Sequence, residues 1–245
     1  MNQAISSRSP GGAQPVSAAA FTGSASMGSR KLYSRLIGAL YLSAIVLYGV
    51  GFGLVTSVLG HPGFLSTISA HATTLALGAF LMLLNSVVVM GLGVLFFTIL
   101  ENHGKRTALA YLASRIVEAV LLSVGVLCLL MIVPLAQQGV DAGQASVGWS
   151  KALGSLAIQS NAMSYQIAMM SLGLGGVLMC SLLFRTRLIP RFLALWGLIG
   201  YAIFLAGAIA EIFGIHIGLM LTIPGMFFEL VLPFWLFFKG FQAEA

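Results

Sequence analysis

Charged residues are scarce in this chain. Only 7% of its 245 residues are Asp, Glu, Lys or Arg, against about 25% in ordinary soluble domains. Hydrophobic residues make up 59% of the sequence, and the mean hydropathy is +1.01. A soluble domain of this size leaves about a third of its chain surface in water, so this composition excludes a soluble globular protein. It predicts a polytopic membrane protein.

Cysteines and catalytic motifs are also few. The two cysteines, Cys128 and Cys180, lie in separate apolar runs at different predicted depths, which argues against a disulfide or a metal pair. The sequence lacks HExxH, GxSG and GxxxxGK[ST] motifs, the signatures of zinc peptidases, serine hydrolases and nucleotide-binding domains. We therefore predict no catalytic residues, no metal and no cofactor, and an enzyme is the less favoured class.

Six apolar runs are each long enough to cross a bilayer, which takes about 20 residues. They predict an all-α bundle of six transmembrane helices over residues 32–242. Residues 1–31 are rich in Ser, Gly, Ala and Pro, and we expect a disordered tail there because they cannot bury enough surface to offset chain entropy. The six runs are Leu36–Leu59, Ala72–Leu100, Thr107–Pro134, Asn161–Phe184, Pro190–Phe213 and Ile215–Phe238.

Lysine and arginine are concentrated on one side of the predicted bundle. Of the 12 such residues, Lys151 falls in a connection on the opposite side and Arg115 falls inside a run. The other ten lie in the predicted tail or next to the run ends on one side. The positive-inside rule therefore predicts cytoplasmic termini and a location in the cell membrane. The same asymmetry explains the net charge of +6 without a nucleic-acid-binding surface. The expected partner is the lipid bilayer.

Three ionisable residues fall well inside the apolar runs. Arg115 and Glu118 lie three residues apart in the third run, on the helix face that also carries Tyr111, and Glu229 lies in the sixth run. Counting the helical rise from the basic ends places all three charges near mid-membrane, where each costs about 2.5–3.5 kcal/mol if unpaired. We predict that they face the bundle interior and that Arg115 bridges both Glu118 and Glu229.

This cluster permits two interpretations. One positive and two negative charges leave one negative charge in excess, which favours a proton on one glutamate. The cluster could bind a proton or a small ligand, or it could be a structural clasp in a structural or regulatory subunit. Pro233 removes the hydrogen bond to the Glu229 carbonyl, which favours a functional site. An intramembrane enzyme using the two glutamates as acid and base is less favoured, because no nucleophile accompanies them.

Other polar and small residues carry secondary predictions. Asn85 is expected to make an interhelical hydrogen bond, and Asn161 and Tyr165 share a helix face that could line an outward vestibule. Gly49 and Gly53 form a small-xxx-small pair, which we expect to let neighbouring helices of the bundle approach closely.

Short motifs in the later runs form a recognisable pattern. They are Arg115 and Glu118 in the third run, Arg185, Pro190 and Arg191 before the fifth, and Glu229, Trp235, Lys239 and Gly240 near the end. With these motifs the chain resembles an uncharacterised prokaryotic membrane family, domain of unknown function 4386, over roughly residues 32–242. The resemblance implies a multi-helix membrane fold and no established activity. Members of that family often carry a histidine where this chain has Asn161.

Overall fold

The computed structural model describes residues 27–61, 64–141 and 144–242, and the regular secondary structure in these ranges is all helical. Five helices are long and apolar enough to cross a membrane. A helix suits this composition because it satisfies its own backbone hydrogen bonds where water is absent. The helices are α1 (Met27–Leu59), α2 (Phe64–Leu130), α3 (Ile132–Asp141), α4 (Gln144–Thr186), α5 (Arg191–Ile212) and α6 (Gly218–Phe238).

Helix α2 is two arms joined at Gly104, with a second non-helical residue, His71 (φ −118°, ψ 17°), near the start of the first arm. The backbone of Gly104 is not helical (φ 178°, ψ 73°), and the chain folds back there. A Cβ atom placed on Gly93 would lie 2.9 Å from the Cβ of Arg115, although the two residues are far apart along the chain. We call the arms α2a (residues 64–103) and α2b (residues 105–130). The predicted second run lies within α2a, and most of the predicted third run lies on α2b.

The helices form a ring in chain order. Helix α1 packs on α2a where Gly51 and Gly78 meet, and a Cβ on either glycine would lie 2.8 Å from the other's carbonyl oxygen. Ser164 of α4 donates to the carbonyl of Leu121 on α2b. Helix α4 packs on α5, α5 on α6, and α6 on α1. All these helices therefore turn one face toward a common interior.

The segments that follow α5 and α6 are each held by specific hydrogen bonds of the backbone amides. Beyond α5, Gly214 has a positive φ of 78°, and the amides of Gly214 and Ile215 donate to the carbonyls of Glu211 and Ala210. This is a Schellman motif, in which glycine tolerates the left-handed backbone. Beyond α6, the Phe241 amide donates to Ser34 Oγ at 3.2 Å, which ties the segment after α6 to α1.

The structure corrects several predicted boundaries and contacts. Residues 27–31 of the predicted tail are helical, and residues 1–26 lie outside the described ranges. Helix α4 begins at Gln144, well before the predicted start at Asn161. Gly49 and Gly53 do not meet a neighbouring helix, because a Cβ on either finds nothing within 4 Å.

Candidate functional site

Arg115 is the centre of a buried polar cluster inside the ring, with only 3% of its surface exposed. Its Nη1 donates to Glu118 Oε2 at 2.8 Å, its Nε to the Tyr111 hydroxyl at 2.9 Å and its Nη2 to the Tyr41 hydroxyl at 3.1 Å. Tyr111 and Glu118 lie one turn away on either side of Arg115 on α2b, as helix spacing requires. Tyr41 comes from α1. The guanidinium, which cannot lose its charge, is therefore neutralised within α2b and tied to α1.

Glu229 is hydrogen-bonded to a different helix, although the charge of Arg115 still acts on it. Its Oε1 accepts a 2.8 Å hydrogen bond from the Tyr201 hydroxyl of α5. The predicted direct bridge from Arg115 to Glu229 is wrong, since in the described part of the chain the ion pair of Arg115 is with Glu118. The reason is the order of the ring: among the described residues, α6 packs on α5 and α1 and makes no helix contact with α2. The equal predicted depth of Arg115 and Glu229 therefore did not imply a direct contact between them.

Both glutamates nevertheless line one cavity of about 240 Å³ inside the ring. Arg115 also lines it, together with Asn85 of α2a and Tyr165 of α4. The predicted site residues Arg115, Glu118 and Glu229 therefore share one space without forming one ion-pair network. The remaining walls are mostly apolar and aromatic: Tyr41, Ala44, Ile45, Tyr48, Gly49, Val89, Leu92, Leu122, Met169 and Leu172.

Asn85 contributes an amide without a protein partner. It is 4% exposed, it lines the cavity, and its side chain makes no hydrogen bond with any residue in the described ranges. The predicted interhelical hydrogen bond is therefore wrong. A buried amide needs a partner, so this group is available to whatever occupies the cavity.

Asn161 and Tyr165 of α4 have different surroundings. The ring of Tyr165 stacks on that of Tyr48 with centroids 5.6 Å apart, beside the cavity. Asn161 packs on α2b instead, where a Cβ on Gly125 would lie 2.8 Å from its Nδ2. Of the predicted vestibule pair, Tyr165 lines the cavity and Asn161 is not among its lining residues in the described structure.

A second, smaller cavity of about 110 Å³ adjoins the first. Glu229 and Tyr165 line both cavities. Tyr201 and Thr222 lie on the side of the smaller one. Glu229 therefore lies between the two neighbouring cavities.

Aromatic side chains pack next to the Arg115 cluster, on the side of the segment after α6. The Phe96 ring contacts those of Tyr41, Tyr111 and Phe241 edge-on, with centroids 5.5–6.2 Å apart. Phe96 is fully buried, and Phe241 is tied to the start of α1. These packed aromatic rings therefore close the interior of the ring on the side of the segment after α6.

Sequence reasoning missed Tyr41 and Tyr201. Both are neutral residues in apolar runs, so neither hydropathy nor charge marks them. A usable signal was their position inside a run and away from its ends, because a buried phenol usually requires a hydrogen-bond partner. Each of these two phenols is bonded to an ionisable residue of another helix.

A comparison with protein families adds to this geometry. The family model described as "Domain of unknown function (DUF4386)" matches residues 36–240. The chain belongs to this family. The match confirms the resemblance inferred from the motifs, and the buried cluster of this DUF4386 chain lies entirely within the matched residues. Comparisons with curated proteins and with solved structures give no match.

Proposed function

We propose that this DUF4386 protein crosses the cell membrane six times, with both termini in the cytoplasm, and that its interior cavity binds a small solute or a proton at Glu229. The two arms of α2 support six crossings, because each is long enough to span about 30 Å of hydrocarbon. Lys105 and Arg106 follow the bend at Gly104. They share the predicted cytoplasmic side with Arg35 and Lys239.

One observation carries the proposed site: Glu229 is a mid-helix carboxyl group that lines a cavity and whose described partner is a neutral phenol. A carboxylate at this depth costs about 2.5–3.5 kcal/mol. That cost falls when the group takes a proton or meets a cation. Intramembrane ionisable residues that face a cavity typically mark ion, proton or substrate sites.

The cluster divides into two parts with different roles. Arg115 and Glu118 neutralise each other, and the phenols of Tyr41 and Tyr111 take up two further donors. This part is a structural clasp. Glu229 accepts one hydrogen bond, from Tyr201, and the charge of Arg115 acts on it without an ion-pair contact, so it is the group that exchanges a proton or binds a solute.

An infrared experiment tests this function without knowledge of the solute. The protein is held in lipid nanodiscs and a pH step is applied while the carbonyl band of protonated carboxyl groups is recorded. We expect a band that Glu229→Gln removes and that Glu211→Gln leaves in place, because Glu211 pairs with the exposed His216 at 3.1 Å. A band unaffected by Glu229→Gln would overturn the proposal. The ionisable groups near Glu229 on other elements are Tyr41, Arg115, Glu118, Tyr165, Cys180 and Tyr201.

A second candidate function is that of a structural or regulatory subunit in which the buried charges only lock the ring. The three side-chain partners of Arg115 favour it. It predicts that Glu229→Gln changes the free energy of unfolding but leaves the infrared band intact.

A further inference from the structure

The seam between α1 and α6 is closed at one point and open further along. A Cβ on Gly38 would lie 2.8 Å from the Pro233 carbonyl oxygen of α6. Ile45 and Gly49 lie on the same face of α1, about two and three turns beyond Gly38. A Cβ on Gly49 meets nothing within 4 Å. The two helices therefore touch near Gly38 and have separated by Gly49.

The separation coincides with the cavity. Ile45 and Gly49 both line the 240 Å³ cavity, and both are exposed, Ile45 by 38%. They lie in the middle of α1, one of the helices long and apolar enough to span a membrane. An opening at this depth faces lipid acyl chains rather than water. The cavity thus communicates sideways with the hydrocarbon.

The charges around the cavity favour a cation. Glu118 and Glu229 outnumber Arg115, and the Arg115 guanidinium is already engaged with Glu118. The unpartnered amide of Asn85 offers a carbonyl acceptor. Tyr48 and Tyr165 present aromatic rings beside this space, and the electron-rich face of such a ring attracts cations. An anion would meet repulsion here, and a purely apolar ligand would leave the Asn85 amide unpaired.

The size and lining of the cavity limit the ligand further. A volume of about 240 Å³ lies below the roughly 300 Å³ at which drug-sized sites begin. Most of the lining residues are apolar. A ligand that suits both features has a small hydrocarbon body and one basic group.

We propose that the cavity binds a small hydrophobic amine, which enters from the bilayer between α1 and α6 past Ile45 and Gly49 and is held as an ammonium ion against Glu229. This inference rests on the proposed function of Glu229. The amine crosses the hydrocarbon as the neutral base, because a charged group is costly there. In the cavity the O–H bond of the Glu229 carboxyl group breaks and an N–H bond forms, leaving a carboxylate paired with an ammonium ion.

The charge requirement is tested with radiolabelled 2-phenylethylamine and the protein in nanodiscs. We expect saturable binding of the amine, weakened about tenfold or more by Glu229→Gln, since the ion pair is lost. The neutral 2-phenylethanol and the anionic phenylacetate should not compete for the site. Equal competition by either comparator, or unchanged affinity in Glu229→Gln, would overturn the cation assignment.

The lateral entrance has its own matched pair of variants. Gly49→Phe should fill the opening and slow association of the amine about tenfold or more, an expectation from steric blocking of a single entrance. Gly53→Phe is the control, because Gly53 is equally uncrowded, lies one turn further along α1 and does not line the cavity. Gly49→Ala should keep normal association. Unchanged association in Gly49→Phe, with a monodisperse protein, would contradict lateral entry.

Failure of this inference is distinguishable from failure of the proposed function. If the infrared band of Glu229 is present but the amine does not bind, the amine assignment is wrong and the proton site stands. If Glu229→Gln leaves the band unchanged, the proposed function is wrong and the amine assignment falls with it.

Discussion

The hydroxyl of Tyr201 lies 2.8 Å from Oε1 of Glu229 and donates to it, so the carboxyl group of α6 is oriented by α5. The Tyr201 ring is itself buried and packs edge-on against Phe228 with centroids 5.7 Å apart. This arrangement leaves Arg115 to pair with Glu118. The ring therefore contains one ion pair and a second acid that Arg115 attracts without direct contact, and the two respond differently to substitution.

Removing the Tyr201 hydroxyl should weaken the hold on Glu229. We expect Tyr201→Phe to lower the free energy of unfolding by about 0.5–1.5 kcal/mol, the usual range for one hydrogen bond inside a membrane protein. Unfolding in mixed micelles measures the change. Tyr33→Phe, near the start of α1, is the control and should change stability little. Equal stability of Tyr201→Phe and the wild type would contradict the role given to this phenol.

Removing one member of the Arg115–Glu118 pair should lower the free energy of unfolding more than removing both members. Arg115→Leu leaves the Glu118 carboxylate buried without its cation, and we expect a loss of about 3–5 kcal/mol in unfolding free energy. The double variant Arg115→Leu with Glu118→Leu should recover much of that loss, because the Glu118 charge is removed together with its partner. Chemical unfolding of the three proteins gives the comparison. A double variant no more stable than Arg115→Leu would mean that the pair does not act as a clasp.

A side chain at the contact between Gly51 and Gly78 should destabilise the packing of α1 on α2a. Gly51→Leu would place a Cβ 2.8 Å from the carbonyl oxygen of Gly78, so we expect a loss of about 1–3 kcal/mol or failure to fold. Gly53→Leu on the same helix meets open space and should stay within about 0.5 kcal/mol of the wild type. Thermal unfolding of both variants tests this difference, and similar losses in the two would contradict the packing.

The proposed six crossings would place residues beside the Gly104 bend on the side of the termini. We expect Asn102→Cys, in a Cys128→Ala and Cys180→Ala background, to react with a membrane-impermeant maleimide from the cytoplasmic face. Lys151→Cys should react from the opposite face, since both positions are exposed. Labelling of right-side-out and inverted vesicles separates the faces. Reaction of both cysteines from the same face would rule out the proposed topology.

Hydropathy predicted the helical segments because a backbone in hydrocarbon must satisfy its hydrogen bonds within each segment. The bend near Gly104 coincides with the predicted cytoplasmic connection between the second and third runs. The sequence did not predict that the fourth span continues back to Gln144 as one helix, since the polar residues before Asn161 carry no apolar signal although they are helical.

The contacts of the site were harder to predict than its depth. Helical rise fixes how deep Arg115 and Glu229 lie, but it does not fix which helix each one faces. That depends on the order of packing around the ring, in which α6 lies beside α5. Asn85 and Gly49 illustrate the same limit, because their partners, or the open space beside them, are set by tertiary packing that one sequence does not specify.

The placement of the polar partners has a consequence for biogenesis. Chains are synthesised from the N-terminus, so Tyr41 is already made when α2b emerges carrying Arg115 and Glu118 together. Tyr201 precedes Glu229 by one helix in the same way. The hydrogen-bond partner of each of these costly groups is therefore already synthesised when the group itself leaves the ribosome, and none depends on a later segment for that bond.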